Sequence, residues 1–135
     1  MLTLDTNILI ALQKRETAAD GFYRVDVAAG EVVTVPTVVI FEARRSLLHP
    51  DHARRLSTLD RLLSFMGVLD FDTEAAARAA HIHHDLRSAG TLIDDADLLI
   101  AATALCHEAT LVTRNTKHFK RISGLNLLDW QQEPQ

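Results

Sequence analysis

Three carboxylates in this chain stand where an α/β fold can bring them together: Asp5, Glu42 and Asp97. Asp5 ends a short apolar run, and polar Thr6 and Asn7 follow before the apolar pattern resumes at Ile8. This reads as strand, turn and helix. It sets Asp5 at the carboxyl end of a buried strand, where open α/β sheets place their ligands. Asp5 or Thr6 can also simply cap the helix that follows. Glu42 lies one turn after Val38 and Val39, near an apolar stripe, where a carboxylate is costly without a partner. Arg45 or Ser46 could supply that partner, and so could a metal ion. Asp94, Asp95 and Asp97 crowd one helix start. The helix dipole accounts for the first two. Asp97 lies a full turn in, just ahead of apolar residues, unless it closes a capping box with Asp94. Clustered carboxylates repel and raise one another's pKa. A hard divalent cation relieves that repulsion. Such a cluster with Mg²⁺ or Mn²⁺ reads as a site for phosphodiester hydrolysis, the metal activating water and stabilising charge on phosphate.

The elements that must hold these acids alternate between strand and helix. Strands are expected at residues 3–4, 31–35, 67–71, 110–113 and 126–129. Helices are expected at 8–13, 17–29 with Gly30 as the stop, 38–48 with Thr37 as cap, 51–65, 72–88 and from 94 onward. A basic loop or short helix is expected over 116–122, and a loose polar tail over 131–135. The third helix should bury Val38, Val39, Phe41, Leu47 and Leu48, and the fifth Ala75, Ala79, Ile82 and Leu86. Alternation of this kind argues for a mainly parallel sheet flanked by helices. In that topology Asn115 also falls at the carboxyl end of a strand.

A chain of 135 residues fits one domain with a proper core, and 47% hydrophobic content argues against disorder. No apolar run is long enough to span a bilayer, and the first residues do not read as a signal peptide, so a cytoplasmic protein is expected. The lone Cys106 excludes an internal disulfide and reads as a small core residue. His81, His83 and His84 have no cysteine or acid at a matching zinc spacing. The net charge of −4 argues against a generally basic nucleic-acid binder but suits a nuclease built on clustered acids. Arg114, Lys117, Lys120 and Arg121 fall in one short window, either a solvated face or a phosphate-binding one.

Four stretches in order resemble the motifs of PIN-domain nucleases: Leu4 to Ile10, Glu42 after Val35-Pro36-Thr37, Asp97 to Ala102, and Leu111 to Asn115. Phe119 to Leu125 and Asp129-Trp130 resemble the carboxyl end of the VapC toxins. The resemblance covers nearly the whole chain. It implies a PIN-like three-layer sandwich and a metal-dependent endoribonuclease, with Asp5, Glu42 and Asp97 as ligands of Mg²⁺ or Mn²⁺. It further implies a homodimer, structured RNA such as tRNA or rRNA as substrate, and a cognate antitoxin whose tail blocks the site. Many relatives carry a fourth acid where this chain has Asn115, with His118 three residues on. That departure puts a second metal in doubt.

Around this set, Thr6 and Asn7 are expected to orient Asp5 or a metal-bound water, and His118 to reach the phosphate or shuttle a proton. Arg114, Lys117 and Lys120 are expected to contact RNA phosphates. Other readings are a housekeeping PIN nuclease in RNA processing and a catalytically silent PIN-like binding module. A phosphatase with Asp5 as nucleophile would want an aspartate at the position of Asn7.

Overall fold

The computed structural model describes residues 1–130; the expected tail at 131–135 lies outside them. Five strands form one sheet: β1 (Leu2–Leu4), β2 (Val33–Pro36), β3 (Gly67–Leu69), β4 (Thr110–Val112) and β5 (Leu127–Leu128). Their order is β3-β2-β1-β4-β5, and every pairing is parallel. Around the sheet lie α1 (Thr6–Gln13), α2 (Thr17–Ala28), α3 (Thr37–Arg45), α4 (Ala53–Leu63), α5 (Thr73–Ser88), α6 (Asp95–Cys106) and α7 (Thr116–Phe119). α1 packs on α2, α3 and α4, while α5 pairs with α6, which also meets α3.

The expected α/β architecture is therefore the observed one, and its sequence logic is simple. β1 is flanked on both sides by strands, so all three of its residues are buried. Leu4, Val35, Leu111 and Val112 are fully buried, as are Ile8 and Leu9 of α1 and Ile100 of α6. Burying each such side chain contributes roughly 1.5–3 kcal/mol. The α5 stripe of Ala75, Ala79, Ile82 and Leu86 is buried as its spacing requires.

Several boundaries differ from expectation. α3 ends at Arg45, short of residue 48, and the chain reaches α4 through a 3₁₀ turn at Pro50–His52. Phe41 (59% exposed) and Leu48 (67%) are not core residues, because Val39, Ala43 and Leu47 supply the buried side. Pro36 is the last residue of β2, not a residue beyond it. Thr37 opens α3 without capping it. Its Oγ1 accepts the backbone N–H of Phe71 at 3.2 Å. Cys106 is only half-buried, at the end of α6.

The strand order fixes where a site can form. From β1 the chain builds β2 and β3 on one side, then crosses to β4 and β5 on the other. The topological switch lies between β1 and β4, and ligands of open parallel sheets bind outside the strand ends there.

Candidate active site

Asp5 leaves the end of β1 at this switch and is 4% exposed. It is also the N-cap of α1, its Oδ1 accepting the N–H of Thr6 at 2.8 Å. The cap and the site are one residue. Its Oδ2 accepts from the Thr113 hydroxyl at 2.7 Å. Thr113 is fully buried, and its Oγ1 accepts the N–H of Asn115 at 3.0 Å. One hydroxyl thus ties the end of β4 to the end of β1. The register explains it: Leu4 pairs with Val112, and Asp5 N–H donates to Val112 O at 2.9 Å, so Thr113 comes next beside Asp5.

Thr6 joins the second acid. Its hydroxyl donates to Glu42 Oε1 at 2.7 Å, across from α1 to α3. Arg45, one turn on from Glu42, sets Nη2 3.6 Å from Oε2 and lays its guanidinium over the exposed Phe41 ring. The ion pair with Arg45 expected from spacing is present; Ser46 instead donates to Ala43 O. Asp97 is half-buried in the first turn of α6. Its Oδ2 lies 3.8 Å from His118 Nδ1. Asp94 caps α6 without a side-chain bond, so no capping box forms.

The electrostatics tie these residues into one site. Burial pushes the Asp5 carboxyl up, while the bonds from Thr113 and Thr6 pull it down and the Glu42 charge raises it again. Asp97 rises from 3.8 to about 6, first by burial, then through the negative charge of Asp5, with Asp94 and Glu42 adding to it and His118 opposing. The Asp5 charge therefore disfavours the ionised form of Asp97. A positive charge between them would remove that penalty.

Among the described residues, no three acidic, histidine or cysteine side chains are close enough to enclose an ion by themselves. The donor set is carboxylate oxygen with one imidazole at its edge. That suits a hard divalent ion that retains several waters and touches the protein at few points. Asn7 Oδ1, on the same first turn as Thr6, is buried with no partner among the described residues, an acceptor suited to such a water. Of the two expected roles, orienting Asp5 or a bound water, Asn7 makes no bond to Asp5 among the described residues, and Thr6 serves Glu42 as well as Asp5.

The basic residues divide. Arg114 forms an ion pair with Glu16, at the N-cap of α2, and its Nε is buried without a partner among the described residues. This arginine is occupied with holding β4 to the α1–α2 turn. Lys117 and Lys120 are exposed on α7 and at its end. Sequence reasoning missed Thr113. A threonine closing a β-strand is unremarkable until the strand register is known.

Residues 2–125 match the family described as the PIN domain. The chain is 32% identical to ribonuclease VapC2 of Rickettsia felis over 131 residues, spanning 94% of this chain and 96% of that protein. It is 35% identical to a tRNA(fMet)-specific endonuclease VapC of Salmonella typhimurium over 92 residues, 68% of this chain and 67% of that one. The crystal structure of VapBC2 from Rickettsia felis, bound to a DNA fragment from its promoter, superposes with a TM-score of 0.88 at 29% identity, covering 96% of this chain and 98% of that one. Switch-point carboxylates, strand order and sequence agree: the chain belongs to the PIN-domain family and, within it, to the VapC ribonucleases.

Proposed function

We propose that the chain is an endoribonuclease dependent on Mg²⁺ or Mn²⁺, the toxin of a type II toxin–antitoxin pair. It hydrolyses phosphodiester bonds in structured RNA, tRNA or rRNA, in the cytoplasm. It works as a homodimer and is silenced by an antitoxin whose tail covers the site. The observation that carries the reading is the convergence of three acids from separate parts of the chain: Thr6 bonds both Asp5 and Glu42, and the negative charges of Asp5 and Glu42 help raise the Asp97 carboxyl. Support for tRNA and for an antitoxin comes from the relatives, one named for tRNA(fMet) and others solved as VapBC complexes. Among the described residues no helix is long and apolar enough to cross a membrane.

Asp5, Glu42 and Asp97 would hold the metal, directly or through water. When bound, the ion would lower the pKa of water and stabilise the charge that develops on the phosphate. The protein's own part is orientation. Thr113 fixes the Asp5 carboxylate from one side and the Thr6 N–H from the other. The Thr6 hydroxyl and Arg45 fix Glu42. His118 sits against Asp97, placed to hydrogen-bond a phosphate oxygen or take up a proton. Asn115 offers a neutral amide where an acid would draw a second cation. One tightly held ion is therefore expected in the free protein.

Induced expression in a bacterial host tests the toxin role. Growth should stop with the wild-type chain and continue with Asp97→Asn at equal protein level. Arrest by both proteins, with no RNA cut, would remove the proposal.

A further inference from the structure

His118 belongs to two places. Its Nδ1 lies 3.8 Å from Asp97 Oδ2, and it also lines a polar groove walled by Asn115, Thr116, Lys117, Arg121 and Asp129 together with Arg114. The local sequence explains why these side chains gather. Phe119 and Ile122 are buried and pin the segment to the body. Lys117 and His118, with Arg121 about one turn further on, are left to line the groove, and Lys120 is not among its walls. Arg121 is steadied by two long hydrogen bonds from Nη1, to Thr91 O at 3.5 Å and Leu92 O at 3.4 Å. The cations differ in what they already hold. Arg114 is paired with Glu16, whereas Lys117 has no hydrogen-bond or ion-pair partner among the described residues. A polar groove that carries Lys117 and Arg121 and shares His118 with the carboxylate site is suited to a phosphodiester next to the one under attack.

We propose that this groove is a phosphate subsite, in which Lys117 and Arg121 hold the RNA phosphate adjacent to the scissile one, with His118 at the boundary between the two. The proposal rests on RNA as the substrate. It reassigns the phosphate contacts of the basic segment: Lys117 and Arg121 take part, Arg114 serves the fold, and Lys120 does not contribute. Holding the neighbouring phosphate fixes the register of the strand over the acids, a positioning role.

The test is equilibrium binding of a labelled tRNA pool to the full chain in EDTA, across a range of KCl concentrations. Lys117→Ala and Arg121→Gln should each reduce the slope of log K against log [salt] by about 0.7–0.9, the share of one phosphate. Each should weaken binding by about tenfold at low salt. Lys120→Ala, which removes the same charge three residues away, should leave the slope at the wild-type value. Melting curves check that Arg121→Gln is folded, and the Lys117–Lys120 comparison decides without it. Equal slopes for Lys117→Ala and Lys120→Ala, whether both reduced or both unchanged, would overturn the subsite while leaving the nuclease reading intact. A wild-type chain that neither binds nor cuts RNA would overturn both.

Discussion

At the scale of single residues, the Thr113 hydroxyl does more than its size suggests. It donates to Asp5 Oδ2 and accepts from Asn115 N–H, so both its donor and acceptor capacity are used in a dry place. Thr113→Val leaves the buried Asp5 carboxylate and the Asn115 N–H short of a partner, which should cost about 1–3 kcal/mol of stability. It should also slow RNA cleavage roughly 10–100-fold, the range for losing a group that orients a metal ligand. Thr113→Ser should recover most of the rate, which a simple packing role for the threonine methyl would not allow. Asp97 makes the second prediction. Its carboxyl sits at about 6 in the folded chain against 3.8 ordinarily, so the folded state binds its proton more tightly. The stability this gives is full below about pH 4 and is lost as pH rises through about 6. Without metal, the melting temperature should fall across that window from this group. Divalent ions compete with the same proton, so their affinity should rise over the same pH range. Asp97→Asn should flatten both trends and melt about 3–5 °C above the wild type at neutral pH in EDTA, ~1 kcal/mol once solvent screening is allowed for. Calorimetric melts at several pH values check it.

Among the elements, α2 has one glycine inside it and one just past its end, with opposite meanings. Gly30 turns the chain after the helix with φ +89°, a conformation side chains resist, although nothing lies within 4 Å of where a Cβ would stand. Gly30→Ala should lose about 1 kcal/mol by backbone strain alone. Gly21 lies inside α2, also in open space but with ordinary backbone, so Gly21→Ala should gain a comparable amount. Denaturant midpoints of the two variants should move in opposite directions. The contrast shows what the sequence made readable. Strand and helix types followed from pattern and punctuation, including Gly30 as a stop and the α5 stripe. The side taken by Phe41 did not, because a helix beside a sheet buries a narrow stripe and Val39, Ala43 and Leu47 already fill it. Asp5 and Asp97 were legible as acids at element ends, whereas Glu42 lies in the second turn of α3 and was legible only as an acid near its apolar stripe. Thr113 and the Arg114–Glu16 pair were not, since each depends on how two distant segments are registered against each other. Trp130 belongs to the same class. It closes the described chain fully buried, its Nε1 donating to Asp26 Oδ2 of α2 at 2.9 Å and its ring edge-on to Tyr23.

For the molecule as a whole, strand order is what turns scattered acids into a site. The β1–β4 switch puts Asp5 and Thr113 side by side, and α3 and α6 bring Glu42 and Asp97 to the same end of the sheet. The overall charge of −4 would repel RNA unless the acids were screened by a cation and the phosphates met locally positive walls. The acidic centre beside the polar groove of Lys117 and Arg121 has that arrangement. In the proposed function this carboxylate cluster cuts RNA with a divalent ion. This is tested most directly by incubating the purified chain with tRNA and rRNA while Mg²⁺ or Mn²⁺ is titrated from an EDTA-treated start, alongside Asp5→Asn with its folding verified by circular dichroism. Discrete cleavage should appear only as metal is restored and be absent, by at least about a hundredfold, from folded Asp5→Asn. Cleavage that persists in EDTA, or a folded Asp5→Asn that cuts at the wild-type rate, would contradict the proposed function.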